Sequence, residues 1–171
     1  MGAGIVDAVF VGCRAEIEAD KAMPGGIQIM DAADPDHAAA LAVAMVRNGE
    51  ADIIMKGMIN TDNLLRAILN KETGILDPGA VLTHITAAEI PAYRKVLLLT
   101  DVAVIPYPTL DQRRAQIKYL TEIAKRLGRE MPKIALTHCS EKVDERHFPF
   151  TADYVTLKQE AERGKFGPCV V

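Results

Sequence analysis

Tryptophan is absent, and aromatic residues supply only 5% of the chain, four Tyr and four Phe. Small and aliphatic side chains must fill the core, as suits helices packed closely on a parallel sheet. Cysteine is scarce too: Cys13, Cys139 and Cys169 are odd in number and far apart. They allow neither a disulfide framework nor a Cys-x-x-Cys pair, so a reduced, cytoplasmic setting is expected. No basic excess exists. The net charge is -3, with Lys and Arg interspersed among acids, which argues against a nucleic-acid partner. Long apolar runs are missing as well. Ala38 to Val46 falls far short of the ~20 residues a bilayer requires, so no membrane association is expected. Asp7 interrupts the first apolar stretch with no basic segment before it, unlike a signal peptide.

What the sequence does contain is alternation. Strands are predicted at Asp7–Gly12, Ile27–Met30, Asp52–Met55, Ala80–Thr83, Lys95–Leu99, Lys133–Thr137 and from Pro168. A helix opens at Asp34-Pro35, an N-cap acid followed by proline, and stops at Asn48-Gly49. Its nearly all-round apolar composition predicts deep burial. A second helix is predicted from Thr61 to Lys71, a third from the Thr109-x-x-Gln112 capping box to Gly128, and a fourth over Thr151–Arg163. Thr73-Gly74 and Asp77-Pro78-Gly79 break the pattern, dividing the chain into residues 1–77 and 78–171. The expected class is α/β with mainly parallel sheets, right-handed crossovers and flanking helices.

In such sheets ligands gather beyond the carboxyl ends of the strands. That selects Lys56–Thr61, Thr83-His84, Thr100-Asp101 and Thr137–Ser140. At the first, a strand is expected to lead through Gly57 into a helix whose unpaired N–H groups suit an oxyanion. Lys56, Asn60, Thr61 and Arg66 add charge and donors; the alternative is a simple Asn60 or Thr61 cap with an Asp62–Arg66 i,i+4 pair. His84 is a cleft residue or a core histidine. Asp101 is a base or a polar anchor. His138-Cys139-Ser140 hints at a Cys-His nucleophile, but neighbours on a strand point to opposite faces, which favours a structural role. His37 reads as incidental, and Glu141–Arg146 as a solvated charged loop.

Ala51–Gly57, Asn60-Thr61, Leu64–Ala67, Leu69–Glu72, Leu82–His84 with Glu89–Pro91, and Leu98–Ala103 occur in one order that resembles the phosphate acetyl/butyryltransferase (phosphotransacylase) family. The Thr-His and Thr-Asp dipeptides are more similar to the phosphate butyryltransferase branch. The resemblance implies an isocitrate/isopropylmalate dehydrogenase-like two-domain fold with an interdomain site. It implies the exchange acyl-CoA plus phosphate to acyl phosphate plus CoA, with acyl-CoA and phosphate as substrates, no cofactor and no metal. The catalytic candidates are Arg66, whose position serves phosphate or CoA binding by that resemblance, and Asp101, read from its place at a strand end; Lys56, Gly57, Asn60, Thr61, Thr83, His84 and Thr100 are the substrate-binding candidates. A homodimer or higher homo-oligomer is implied too.

Two features depart from the family. The resemblance places a Ser-Arg pair and an assisting aspartate in a C-terminal segment, whereas this sequence stops at Val171 inside an expected strand. A fragment of a longer protein, or a truncated or non-catalytic phosphate/CoA-binding homologue, is therefore the alternative expectation. Ile105-Pro106-Tyr107-Pro108 also replaces a more polar loop.

Overall fold

The computed structural model describes residues 6–23, 25–138 and 142–171. The chain forms two compact units, Met1–Ala80 and Val81–Val171.

In the first unit, β1 (Val9–Gly12) pairs in parallel with β2 (Gln28–Asp31), Val9 opposite Gln28 and Gly12 opposite Asp31. The short α1 (Arg14–Ala19), not foreseen from the sequence, lies between them. Arg14 ties this crossover down, its amide donating to Asp31 Oδ1 at 2.9 Å and its guanidinium to the Ile29 carbonyl at 2.9 Å. Asp34 caps α2 (Pro35–Arg47) by accepting from the His37 amide, with Pro35 in the first turn, as the sequence predicts. The expected deep burial holds for one face only: Ala39, Val43 and Met45 are buried, while Ala40 is exposed. Helix α3 (Thr61–Ile68) follows, and Leu69 rather than Lys71 closes it.

No strand forms over residues 52–55, which corrects the expected strand-to-helix junction. An apolar run becomes a strand only where a neighbour supplies the hydrogen-bond ladder. Here Ile53 is 76% and Met55 91% exposed instead.

The second unit contains β3 (Thr86–Ile90) and β4 (Tyr93–Leu99), with Thr86 opposite Leu99 and Ile90 opposite Tyr93. This pair is antiparallel, so mainly parallel sheets are not what the described residues show; the fold is mixed α/β with small sheets of both kinds. The reason is the connection. Pro91-Ala92 can make a hairpin turn, whereas a parallel pair needs a crossover of a dozen or more residues. The strand expected at residues 80–83 does not form, and the ladder begins at Thr86. Of the strands predicted near residues 133 and 168, a single parallel bridge between Lys133 and Val170 exists.

Helix α4 (Leu110–Arg126) begins at a complete capping box between Thr109 and Gln112. It ends before Gly128, whose φ of 80° is the left-handed value that glycine takes without steric cost. Its Ile117 packs with Leu157, Ala161 and Phe166 of the segment carrying α5 (Ala152–Glu162), and Ile134, Leu136, Cys169 and Val171 cover that cluster. A polar clamp joins the same two helices. Arg114 donates through Nε and Nη2 to Glu160 at 2.8–3.2 Å, and Lys165 adds a contact of 2.7 Å. Hydrogen bonds from Arg114 and Lys165 hold the Glu160 carboxyl down at about 2.

Candidate functional site

The sequence candidates fall into one group in each unit. In the first unit, Lys56 does not project outward as a bare charge. Its ammonium donates to the Ile59 carbonyl at 2.8 Å and the Gly57 carbonyl at 3.3 Å, curling the loop that feeds α3. A Cβ on Gly57 would meet nothing within 4 Å, so the fold itself does not require glycine there. Asn60 occupies the N-cap position with extended backbone (φ -64°, ψ 141°), yet its side chain makes no capping hydrogen bond.

Arg66 stands one turn further along α3. It pairs not with Asp62 but with Asp36 in the first turn of α2, Nη2 to Oδ1 at 3.2 Å. Asn63 shares that oxygen at 2.6 Å. Asn60, Asn63 and Arg66 line an open hollow together with Asp62, Leu65 and Leu69. Thr61, the first residue of α3, is exposed beside them.

In the second unit, Thr83, His84, Thr100 and Asp101 are brought together by a hydrogen-bond network. Asp101 Oδ2 accepts from the Thr83 hydroxyl at 2.7 Å and the His84 amide at 3.0 Å. Its Oδ1 accepts from the amides of Ala103 and Val104 at 2.8 and 2.7 Å. The Thr100 hydroxyl donates to the His84 carbonyl at 2.8 Å, and the Thr100–Asp101 peptide is cis. Partial burial pushes the Asp101 carboxyl up, but the bonds from Thr83, Val104, Ala103 and His84 outweigh it and hold the group well below the usual carboxylate range. A carboxylate so placed is a firm anchor and a weak proton acceptor. The exposed His84 imidazole approaches the Thr86 hydroxyl, Nδ1 to Oγ1 at 3.3 Å. Beside this network Thr83 also lines a hollow of about 360 Å³ with apolar walls from Val81, Leu82, Ile85 and Ile123.

Two partners were not foreseen. One is Asp36, which no local pattern links to Arg66, since the two lie on different helices. The other is Gln116, 6% exposed, whose Nε2 donates to the Thr83 hydroxyl at 3.1 Å. Its signal was available: an amide adjoining Ile117 on the apolar stripe of α4 needs a buried partner.

His138 packs its ring against Phe148, Phe150 and Tyr154, with centroids 5.6–5.8 Å apart. Cys139, Ser140 and Glu141 lie outside the described residues, and with them most of the Cys-His idea. Among the described residues no group of three or more His, Cys, Asp or Glu side chains is arranged to hold a metal ion.

The family model for phosphate acetyl/butaryl transferase matches residues 21–163. The chain belongs to that family. It is 35% identical to a phosphate butyryltransferase of Clostridium acetobutylicum, over 98% of this chain and 56% of that protein. It is 33% identical to a phosphate acetyltransferase of Thermotoga maritima, over 84% of this chain and 48% of that protein. Among solved structures, that of a branched-chain phosphotransacylase from Enterococcus faecalis superposes with a TM-score of 0.71 at 29% identity, covering 85% of this chain and 51% of the other. The chain thus spans about half the length of the phosphotransacylase relatives it matches. No helix of the described residues is long and apolar enough to cross a membrane.

Proposed function

We propose that this chain serves a phosphate acyltransferase reaction, moving a short acyl group between CoA and inorganic phosphate. The observation that carries the proposal is membership of the phosphate acetyl/butaryl transferase family across residues 21–163. Direct attack of phosphate on the thioester carbonyl makes three demands: cations to hold phosphate, donors for the developing oxyanion, and a fixed approach. Arg66 and Lys56, with the amide and hydroxyl donors of Asn60 and Thr61 and the open backbone at Gly57, are the proposed phosphate and CoA ligands. Thr83, His84 and Thr100 are the proposed acyl-group contacts, and Thr83 also lines a hollow with apolar walls. In this reading Asp101 anchors rather than abstracts a proton, because four donors already occupy its oxygens.

The reading includes a homodimer or larger homo-oligomer, an isocitrate/isopropylmalate dehydrogenase-like two-domain architecture, and a cytoplasmic location. It requires no cofactor and no metal. CoA release from acetyl-CoA and butyryl-CoA, followed with and without phosphate, tests it. Phosphate-dependent release is expected, and its absence with both donors would refute the enzyme. The alternative reading is a homologue that binds phosphate or CoA without turnover. Calorimetric binding of CoA in a chain lacking phosphate-dependent release would select it.

A further inference from the structure

Gln116 is a buried amide with no place in the proposed chemistry, and its side chain donates to a candidate site residue, Thr83. The direction of that bond follows from its neighbours. The Thr83 hydroxyl lies 2.7 Å from Asp101 Oδ2, an anionic acceptor, so its single proton goes there. The Thr100 hydroxyl proton goes to the His84 carbonyl at 2.8 Å, which leaves the 3.2 Å contact between the two hydroxyls without a proton of its own. Thr83 Oγ1 can therefore only accept from Gln116, and the amide must present Nε2 rather than Oε1. A directed chain results, Gln116 to Thr83 to Asp101, and the same Asp101 oxygen receives the His84 amide. Each link polarises the next. The chain starts on α4, whose N-terminus is fixed by the capping box, passes through the loop that carries Thr83 and His84, and ends on Asp101 beyond β4.

We propose that Gln116 is a positioning residue: its amide donates to the Thr83 hydroxyl oxygen, strengthens the Thr83–Asp101 hydrogen bond and so holds the Thr83-His84 loop in its working geometry. The proposal rests on the acyltransferase reading and names a residue that reading does not use. Gln116→Leu removes the donor. Gln116→Glu keeps the shape but turns an acceptor toward Thr83, which draws the hydroxyl proton away from Asp101.

In the 171-residue chain, both variants should keep a cooperative melt while the His84 amide loses at least ~10-fold in hydrogen-exchange protection. A misplacement of this loop should lower kcat roughly 10- to 100-fold and leave KM for phosphate and acyl-CoA within about 3-fold. Should the leucine variant fail to fold, the glutamate variant carries the same comparison. An active wild-type chain whose variants retain both kcat and His84 protection would overturn the role of Gln116 alone. Parallel loss of kcat, KM and melting temperature would reduce Gln116 to a packing residue and overturn it equally. A wild-type chain without turnover would instead overturn the acyltransferase reading, and positioning for transfer with it.

Discussion

At the scale of single residues, Arg66 shows how a charge can be identified from sequence while its partner cannot. Its place in Leu64-Leu65-Arg66-Ala67 was legible, and so was the local Asp62 at i-4. The observed partner is Asp36, 30 residues away in sequence. Both side chains are 69% exposed, so the pair should contribute between 0 and about 1 kcal/mol. Arg66→Ala is therefore expected to leave the urea midpoint nearly unchanged while raising KM for phosphate or CoA at least ~10-fold, the loss of about one charge-assisted contact. Asp36→Asn, which frees the guanidinium, should move phosphate affinity the other way. Isothermal titration with phosphate reads both, and equal affinities in all three proteins would remove Arg66 from the site.

At the scale of elements, α3 and its flanks separate glycine needed by the fold from glycine open to a ligand. At Gly74 a Cβ would lie 2.3 Å from the Ile68 carbonyl oxygen and 2.4 Å from that of Asn70. The turn there is tightly made. Asn70 Oδ1 accepts from the amides of Glu72 and Thr73, and the Gly74 amide donates back to the Asn70 carbonyl at 2.9 Å. Gly74→Ala should cost about 1–3 kcal/mol, or more, through forced backbone shifts. Gly57→Ala, with open space around it, should change stability by about 0.5 kcal/mol or less and act only on turnover. Denaturant midpoints and CoA-release rates on both variants check the contrast. Capped helices such as α2 and α4 were legible because their signals are local: Asp34-Pro35, and Thr109 with Gln112. The runs at residues 52–55 and 80–83 misled because strand formation depends on a distant partner.

At the scale of the whole molecule, the depressed carboxylates Asp101, Asp144 and Glu160 all lie in the Val81–Val171 unit. Hydrogen bonds from His147 lower Asp144, and those from Arg114 and Lys165 lower Glu160. A carboxyl whose folded value is depressed adds stability that is present above its unfolded value and lost as pH falls toward its folded one. For Glu160 that window runs from 4.5 down to about 2. Acid should therefore weaken residues 81–171, and amide exchange at pH 7, 4 and 2.5 should show their protection falling. Glu160→Gln should lower the urea midpoint at pH 7, and its difference from wild type should shrink as pH approaches 2. A constant difference across that range would contradict the assignment.

The sequence by itself determined the family, the capped helices, the glycine turn at Gly128 and the identity of the candidate residues, because each depends on neighbours within a few positions or on an ordered series of short motifs. Only the tertiary structure decided that β3 and β4 pair antiparallel, that Arg66 meets Asp36, that Asp101 accepts from Thr83, His84, Ala103 and Val104, and that Gln116 reaches Thr83. Those outcomes depend on which distant donors, acceptors and strand edges the folded chain brings within about 3 Å for a hydrogen bond, a quantity that spacing along the chain does not encode.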